Sequence, residues 1–405
     1  MVPGCPLMRQ TFAPRPAAEI AAALPATPLP STATSNSIGT PAQYVAVESA
    51  AILCQLLRCE SGGRAAILAP DQTLLESAVG PVPTIDPAAP GAAATHQYLL
   101  RFASFATFAA IWTYALIVFG GIVRITGSGM GCGDDWPKCN GHWIPPMTFE
   151  TLIEYAHRLL GVSIGLVLIG VFAYALRHRR SAGFAGKNGV LRYASWVLVL
   201  VVVQGLLGAV TVWLEIPPIV VVVHFATALI IMGILLAAAV RARALAKSER
   251  AVVNAEEART NARHATIALV LGFVVVVFGA LVANYPGAPQ ACQGFPLCNG
   301  SVLPSGVWLV QIHWVHRFLA FVAFFYVTHH GFRAIKRVAT PSVRISAMAA
   351  AAAITLQIVV AAGLVLMHLP RELQALHLAV GAAVWAFLVL WYAAAQNSSA
   401  QKSAL

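Results

Sequence analysis

The apolar residues of this chain gather into eight long runs, and this pattern constrains its fold more than any other feature. About 20 consecutive apolar residues can cross the hydrocarbon core of a bilayer as a helix. The runs lie at roughly 102–123, 152–176, 191–213, 218–240, 264–284, 308–331, 343–367 and 371–394. In lipid, every backbone polar group must be paired within the protein, which a single run achieves only as a helix. The sequence therefore predicts an all-α integral membrane protein with eight transmembrane helices.

Composition supports this fold class, and the distribution of charge predicts its topology. The chain is 59% hydrophobic and 10% charged, with a net charge of +11. Lys and Arg concentrate in the connections after the second, fourth and sixth runs, and such loops stay in the cytoplasm. We therefore predict a multi-pass protein of the cell inner (plasma) membrane, with both termini cytoplasmic. The basic charge then reflects topology in membrane lipid and requires no nucleic-acid partner.

The chain also contains an internal repeat, which is best seen in two loops and the helix starts that follow them. GGIVRITGSGMGCGDDWPKCNGHWIPP followed by EYAHRLLG aligns with GALVANYPGAPQACQGFPLCNGSVLPS followed by HWVHRFLA. The alignment continues, with Gln204 opposite Gln357 and His224 opposite His377. Each repeat holds four apolar runs, an even number, so both repeats enter the membrane in the same direction. We predict two tandem four-helix bundles of the same orientation.

These patterns also predict the domain boundaries. Residues 1–98 are rich in Ala, Pro, Ser and Thr without a hydrophobic period, which predicts a low-complexity, disordered N-terminal extension. The first repeat is expected at 99–245 and the second at 265–396. A cytoplasmic linker at 246–264 and a cytoplasmic tail at 397–405 complete the chain.

Four histidines recur at matching positions of the two repeats. His157 and His316 lie near the starts of the second and sixth runs, and His224 and His377 lie roughly 10 Å inside the fourth and eighth. Two histidines that face each other across a four-helix bundle can hold a haem iron. A lone intramembrane histidine is more often a hydrogen-bonded polar residue, but two equivalent pairs favour metal ligation. Zinc is disfavoured because no cysteine or carboxylate cluster lies at that depth.

Three further residues near these histidines distinguish the repeats. Glu154 precedes His157 by three residues and shares its helix face. Its counterpart is His313, which we leave unassigned, so the first site alone has a carboxylate. The alternative for Glu154 is a solvated residue favoured by the helix dipole. Arg124 is a candidate partner for a haem propionate, with a snorkelling arginine as the alternative.

Four cysteines form two loop pairs, Cys132 with Cys139 and Cys292 with Cys298. Both loops are predicted on the outer, oxidising side of the membrane, where disulfides persist. We predict one disulfide in each loop. A zinc or iron–sulfur site is the alternative, and two short pairs on separate loops suit it poorly. A redox role for the first pair stays open.

Together these motifs resemble the haem A synthase family, over about residues 100–395. The resemblance rests on the TGSGMGCGDDWPKCNG loop, the EYAHR helix start, the repeated CNG loop and the four histidines. It implies an oxidoreductase that converts the C8 methyl group of haem O to a formyl group. The product, haem A, then serves haem-copper oxidases. The resemblance also implies haem b as cofactor, haem O synthase as the source of substrate, and an electron acceptor that the sequence does not identify.

The resemblance further assigns roles to the residues described above. It implies that His316 and His377 bind haem b, that His157 and His224 bind the substrate haem O, and that Glu154 is needed for turnover. The two cysteine pairs match members of the family with two outer disulfides. Oxidation of a methyl group is beyond amino-acid side chains, which agrees with a redox cofactor.

Two other functions are compatible with part of this pattern. A di-haem b-type cytochrome that exchanges electrons with quinol would explain the four histidines, but it gives no reason for Glu154 or the cysteine pairs. A transporter would explain the repeat. However, transporter sites usually need broken helices near the midplane, and the apolar runs here lack Gly-Pro breaks.

Overall fold

A computed structural model describes residues 91–247, 254–338 and 340–400 of the chain. Residues 1–90 of the predicted extension, 248–253 of the predicted linker and 401–405 of the predicted tail lie outside the described residues. Within the described ranges the secondary structure is helical, apart from two isolated β-bridges. The predicted all-α class is confirmed.

Eight long helices account for the eight apolar runs. They are α1 (Ala92–Ile125), α2 (Phe149–Arg177), α3 (Val190–Trp213), α4 (Pro218–Ala246), α5 (Ala255–Asn284), α6 (Trp308–Arg337), α7 (Pro341–Leu366) and α8 (Arg371–Ala400). Each is long and apolar enough to cross a membrane. The chain is therefore a multi-pass membrane protein, as the hydropathy pattern predicted.

Two of the helices begin earlier than the apolar runs suggested. α1 starts at Ala92, inside the predicted extension, and α5 starts at Ala255, inside the predicted linker. The start of α5 is set by capping, because Asn254 Oδ1 accepts a hydrogen bond of 3.0 Å from the Glu256 backbone N–H. Acidic residues in its first turn also interact favourably with the helix dipole. Hydropathy does not register such polar first turns, so it places the start of α5 too late.

The helices of each repeat pack in a closed ring. Sequential neighbours contact each other within α1–α4 and within α5–α8, and α1 packs on α4 as α5 packs on α8. Between the rings, α8 packs against α1 and α4, and α4 also contacts α5. This pattern is consistent with two tandem four-helix bundles.

Small residues allow the two rings to approach closely. A Cβ atom added at Gly121 of α1 would lie 2.5 Å from the Leu378 side chain of α8, and one at Gly233 of α4 would lie 3.2 Å from the Trp385 ring. The Trp385 Nε1–H donates a hydrogen bond of 2.8 Å to the Leu229 carbonyl oxygen. Small residues at membrane helix contacts let backbones come together. α8 is therefore held against the first ring by close packing and by a hydrogen bond.

The repeat extends to backbone geometry in the turns before α4 and α8. Two consecutive residues in each turn have φ between 55° and 64°, namely Glu215 with Ile216 and His368 with Leu369. The Ile216 N–H donates to the Thr211 carbonyl and the Leu369 N–H to the Leu364 carbonyl, both at 2.8 Å. The two turns thus start α4 and α8 in the same way, which places His224 and His377 at equivalent positions.

Candidate functional site

The four predicted histidines lie on α2, α4, α6 and α8. His157 and His224 lie on helices of the first ring, and His316 and His377 lie on helices of the second. Each pair therefore joins two helices of one ring.

Three of these imidazoles carry a buried nitrogen without a protein partner. The Nδ1 atoms of His157, His224 and His316 are buried, and no hydrogen-bond partner for them lies among the described residues. Buried polar atoms in proteins are almost always hydrogen-bonded, so each exception needs an explanation. A bound group that the imidazole faces would supply one. The donor chemistry fits a haem iron, which accepts two imidazole ligands.

Repeat-related glycines face two of the same rings. A Cβ atom at Gly120 of α1 would lie 3.1 Å from His157 Cε1, and one at Gly279 of α5 would lie 2.8 Å from His316 Cε1. A contact at the shorter distance forces the ring to move. The glycines therefore leave each imidazole the space that it occupies, and an alanine would displace the ring.

Glu154 is buried rather than solvated. Its side chain lies at the start of α2, and the residue is only 4% exposed. Oε2 accepts a hydrogen bond of 2.8 Å from the Cys132 backbone N–H, and Oε1 forms a 2.6 Å ion pair with Arg158 Nη2. These contacts rule out the alternative of a solvated residue at a helix end. They also connect the carboxylate directly to the disulfide loop.

Arg158 and Arg317 hold the α1–α2 loop and the α5–α6 loop against α2 and α6. Each Nη1 donates hydrogen bonds of 2.6–3.0 Å to two loop carbonyl oxygens, which belong to Asp135 and Lys138 in the first repeat and to Gly294 and Leu297 in the second. Each arginine directly follows a paired histidine, His157 or His316. The loop anchor and the candidate ligand therefore share one helical turn.

His313 occupies the repeat position of Glu154 and has a different contact. It is buried, and its Nδ1–H donates a hydrogen bond of 2.9 Å to the Ala288 carbonyl oxygen. Glu154 accepts a bond from a loop N–H, whereas His313 donates one to a loop carbonyl. Both side chains tether their loops, but only the first brings a carboxylate.

Both predicted disulfides are present. Cys132 is bonded to Cys139, and Cys292 is bonded to Cys298. In each loop the second cysteine also forms a short β-bridge to the residue three positions on, His142 or Ser301. The prediction of one disulfide in each loop is confirmed.

Arg124 joins the two repeats. Its Nη1 donates a hydrogen bond of 3.0 Å to the carbonyl oxygen of Ala283, at the matching end of α5. The guanidinium has further donors beyond this bond. A role for Arg124 toward a haem propionate therefore stays a prediction.

Sequence reasoning missed the glycines and the loop-anchoring arginines. The repeat carried a signal for both, because Gly120 and Gly279 align, and Arg158 and Arg317 align directly after the histidines. The arginine contacts depend on the path of the loops, which residue spacing does not show.

Comparison with known proteins places the chain in a family. The model of the cytochrome oxidase assembly protein family COX15-CtaA matches residues 103–152 and 147–389. The chain belongs to this family. The matched region includes all four histidines, Glu154 and both cysteine pairs.

Individual relatives named "Heme A synthase" agree with this assignment. The relative from Exiguobacterium sibiricum is 28% identical over 242 residues, which cover 60% of this chain and 76% of that protein. The relative from Alkalihalophilus pseudofirmus is 30% identical over 222 residues, 54% of this chain and 71% of that protein. The relative from Geobacillus kaustophilus is 31% identical over 241 residues, 58% and 71% of the two chains.

Proposed function

We propose that this chain is a haem A synthase, which oxidises the C8 methyl group of haem O to a formyl group. The observation that carries the proposal is the pair of repeat-related histidine sites, with buried unpartnered imidazole nitrogens, in a chain of the COX15-CtaA family. Relatives named "Heme A synthase" support the activity.

We assign different haems to the two repeats. His316 and His377 would hold haem b, and His157 and His224 would bind the substrate haem O. A haem b at the second pair would supply the electron-accepting chemistry that side chains lack. The difference between Glu154 and His313 supports this division, because only the first repeat offers a carboxylate beside its histidine.

Glu154 would act on the substrate side. With water as the oxygen source, conversion of a methyl to a formyl group consumes one water and releases four electrons and four protons. The electrons would pass through haem b to an external acceptor. A buried carboxylate on the helix face of His157 can accept a proton or stabilise positive charge that develops on the substrate. Arg158 fixes one oxygen of this carboxylate, and the Cys132 N–H fixes the other. The first disulfide loop thereby positions Glu154, and Arg124 would pair with a propionate.

We place the protein in the inner (plasma) membrane with both termini in the cytoplasm. The support is the concentration of Lys and Arg in the α2–α3, α4–α5 and α6–α7 connections. The disulfide loops would then face the oxidising side, as their cysteines require. Alkaline phosphatase fused in the α5–α6 loop should be active, and the same enzyme fused after α8 should be inactive.

The activity is tested by haem analysis. A host without its own haem A synthase would receive this chain together with a haem O synthase, and extracted haems would be identified by mass. We expect haem A to appear and haem O to decrease. If the purified chain carries haem but the cells contain only haem O, the di-haem quinol cytochrome becomes the better assignment.

A further inference from the structure

Two glutamines tether the backbone of one histidine in each pair. Gln204 of α3 and Gln357 of α7 are repeat counterparts, and each precedes its histidine by 20 residues. The Gln204 Nε2–H donates to the His224 carbonyl oxygen, and the Gln357 Nε2–H donates to the His377 carbonyl oxygen, both at 3.0 Å. Each glutamine thus fixes the helix that carries a candidate ligand.

The second glutamine also contacts the imidazole ring. Gln357 Nε2 lies 3.1 Å from Nδ1 and 3.3 Å from Nε2 of His377. In the first repeat the Nδ1 of His224 is buried without a partner among the described residues. Both glutamines therefore bind the backbone carbonyl of their histidine, but only Gln357 also contacts the histidine ring.

A glycine beside the Gln357 amide permits this ring contact. A Cβ atom at Gly381 of α8 would lie 3.3 Å from Gln357 Nε2, a distance that requires the amide to give way. The repeat counterpart of Gly381 is Ala228 of α4, which carries this extra carbon. The glycine thus lets the Gln357 amide lie against the His377 ring.

We propose that Gln357 is a positioning residue that fixes the His377 ring for a resident haem. When one nitrogen of that ring binds iron, the other carries the proton, and Oε1 of the adjacent Gln357 amide, which has no partner among the described residues, is the atom that would accept its hydrogen bond. Gln204 positions only the backbone of His224 and leaves that ring free to take up and release a substrate haem. Groups that hold a ligating histidine usually change metal affinity by about 10- to 100-fold when removed. The proposal deepens the assigned function, and it rests on that function only for the identity of the exchangeable haem.

The test measures haem retention by the second pair alone. The full-length chain carrying His157→Ala and His224→Ala would be purified from cells that make haem b but no haem O. Gln357→Met, which keeps the volume and removes the amide, and Gly381→Ala, which displaces the amide, would be compared with the parent. Gln374→Met is the matched control, because it removes an amide-to-carbonyl bond of 2.8 Å at the start of α8, the helix that carries His377.

We expect Gln357→Met to lower haem b affinity about tenfold and to change the electron paramagnetic resonance spectrum of the remaining haem. Gly381→Ala should change the same spectrum in the same direction, and Gln374→Met should leave affinity and spectrum at parental values. Affinity and spectrum of Gln357→Met equal to those of Gln374→Met would overturn the proposal. If Gln357→Met does not yield folded protein, Gly381→Ala decides, and an unchanged spectrum counts against the proposal.

This experiment is independent of haem A production. If the chain makes no haem A but Gln357→Met still loses haem b, the positioning role stands and the proposed activity is wrong. If haem A is made and the glutamine variants bind haem normally, the activity stands and the positioning role is wrong.

Discussion

The starts of α2 and α6 share one architecture and differ in one chemical group. Each has a disulfide loop, an arginine that binds two loop carbonyls, and a histidine directly before that arginine. At the position three residues before the histidine, the first repeat has Glu154 and the second has His313. The shared loop, arginine and histidine give the two repeats similar local structures. The replacement of Glu154 by His313 is the difference that can give them different chemistry.

The largest expected effect comes from removing either histidine pair. His316→Ala with His377→Ala should abolish the b-haem spectrum of the purified protein, because both iron ligands are lost. His157→Ala with His224→Ala should leave that spectrum in place and abolish haem A formation. Absorption spectra and haem extraction measure the two outcomes. A b-haem spectrum that survives loss of the second pair would reverse the assignment of the repeats.

Glu154→Gln should reduce the rate of haem A formation by about 100-fold or more, the usual effect of losing a general acid or base. The amide keeps the shape and removes the negative charge. His313→Gln is the matched control at the equivalent position, and we expect it to retain most activity. Normal haem A formation by Glu154→Gln would show that the exchanged side chain does not distinguish the sites.

Gly279→Ala should reduce haem b retention, and Gly120→Ala should reduce binding of haem O. The first effect should be the larger, since the new carbon would lie 2.8 Å from the His316 ring and 3.1 Å from the His157 ring. Haem content per protein after purification measures both, and we expect a loss of about tenfold at Gly279. Equal, unimpaired binding by both variants would mean that these contacts do not position the rings.

Loss of a disulfide should have the smallest effect on chemistry. Replacing either cysteine pair by serines should lower the free energy of unfolding by about 2–3 kcal/mol, as expected for short loops. Only the Cys132 and Cys139 double variant should also lower haem A formation severalfold, because Glu154 is bonded to the Cys132 N–H. Equal haem A formation by the two double variants would show that Glu154 does not need the first disulfide to function.

Much of the fold follows from sequence because hydropathy reports helix length directly. The eight helices were predicted from the apolar runs, and the two disulfides from the paired cysteines of the repeated loops. The early start of α5 was not, since it depends on the polar cap at Asn254. The burial of Glu154 was not either, because it requires the disulfide loop to fold over α2 and bring the Cys132 N–H to the carboxylate. Contacts between a loop and a helix depend on the loop path, which spacing along the chain does not encode.

The packing of α8 bears on how the protein is assembled during synthesis. Ala382, Trp385 and Val389 of this helix belong to the hydrophobic cluster of the first ring. α8 follows α1–α7 along the chain, so the hydrophobic cluster of the first ring stays incomplete until α8 has been synthesised. A chain that stops before residue 371 would therefore lose more than His377. It would leave the Gly233 surface of α4 open to lipid or to another protein, and the first site would be disturbed together with the second.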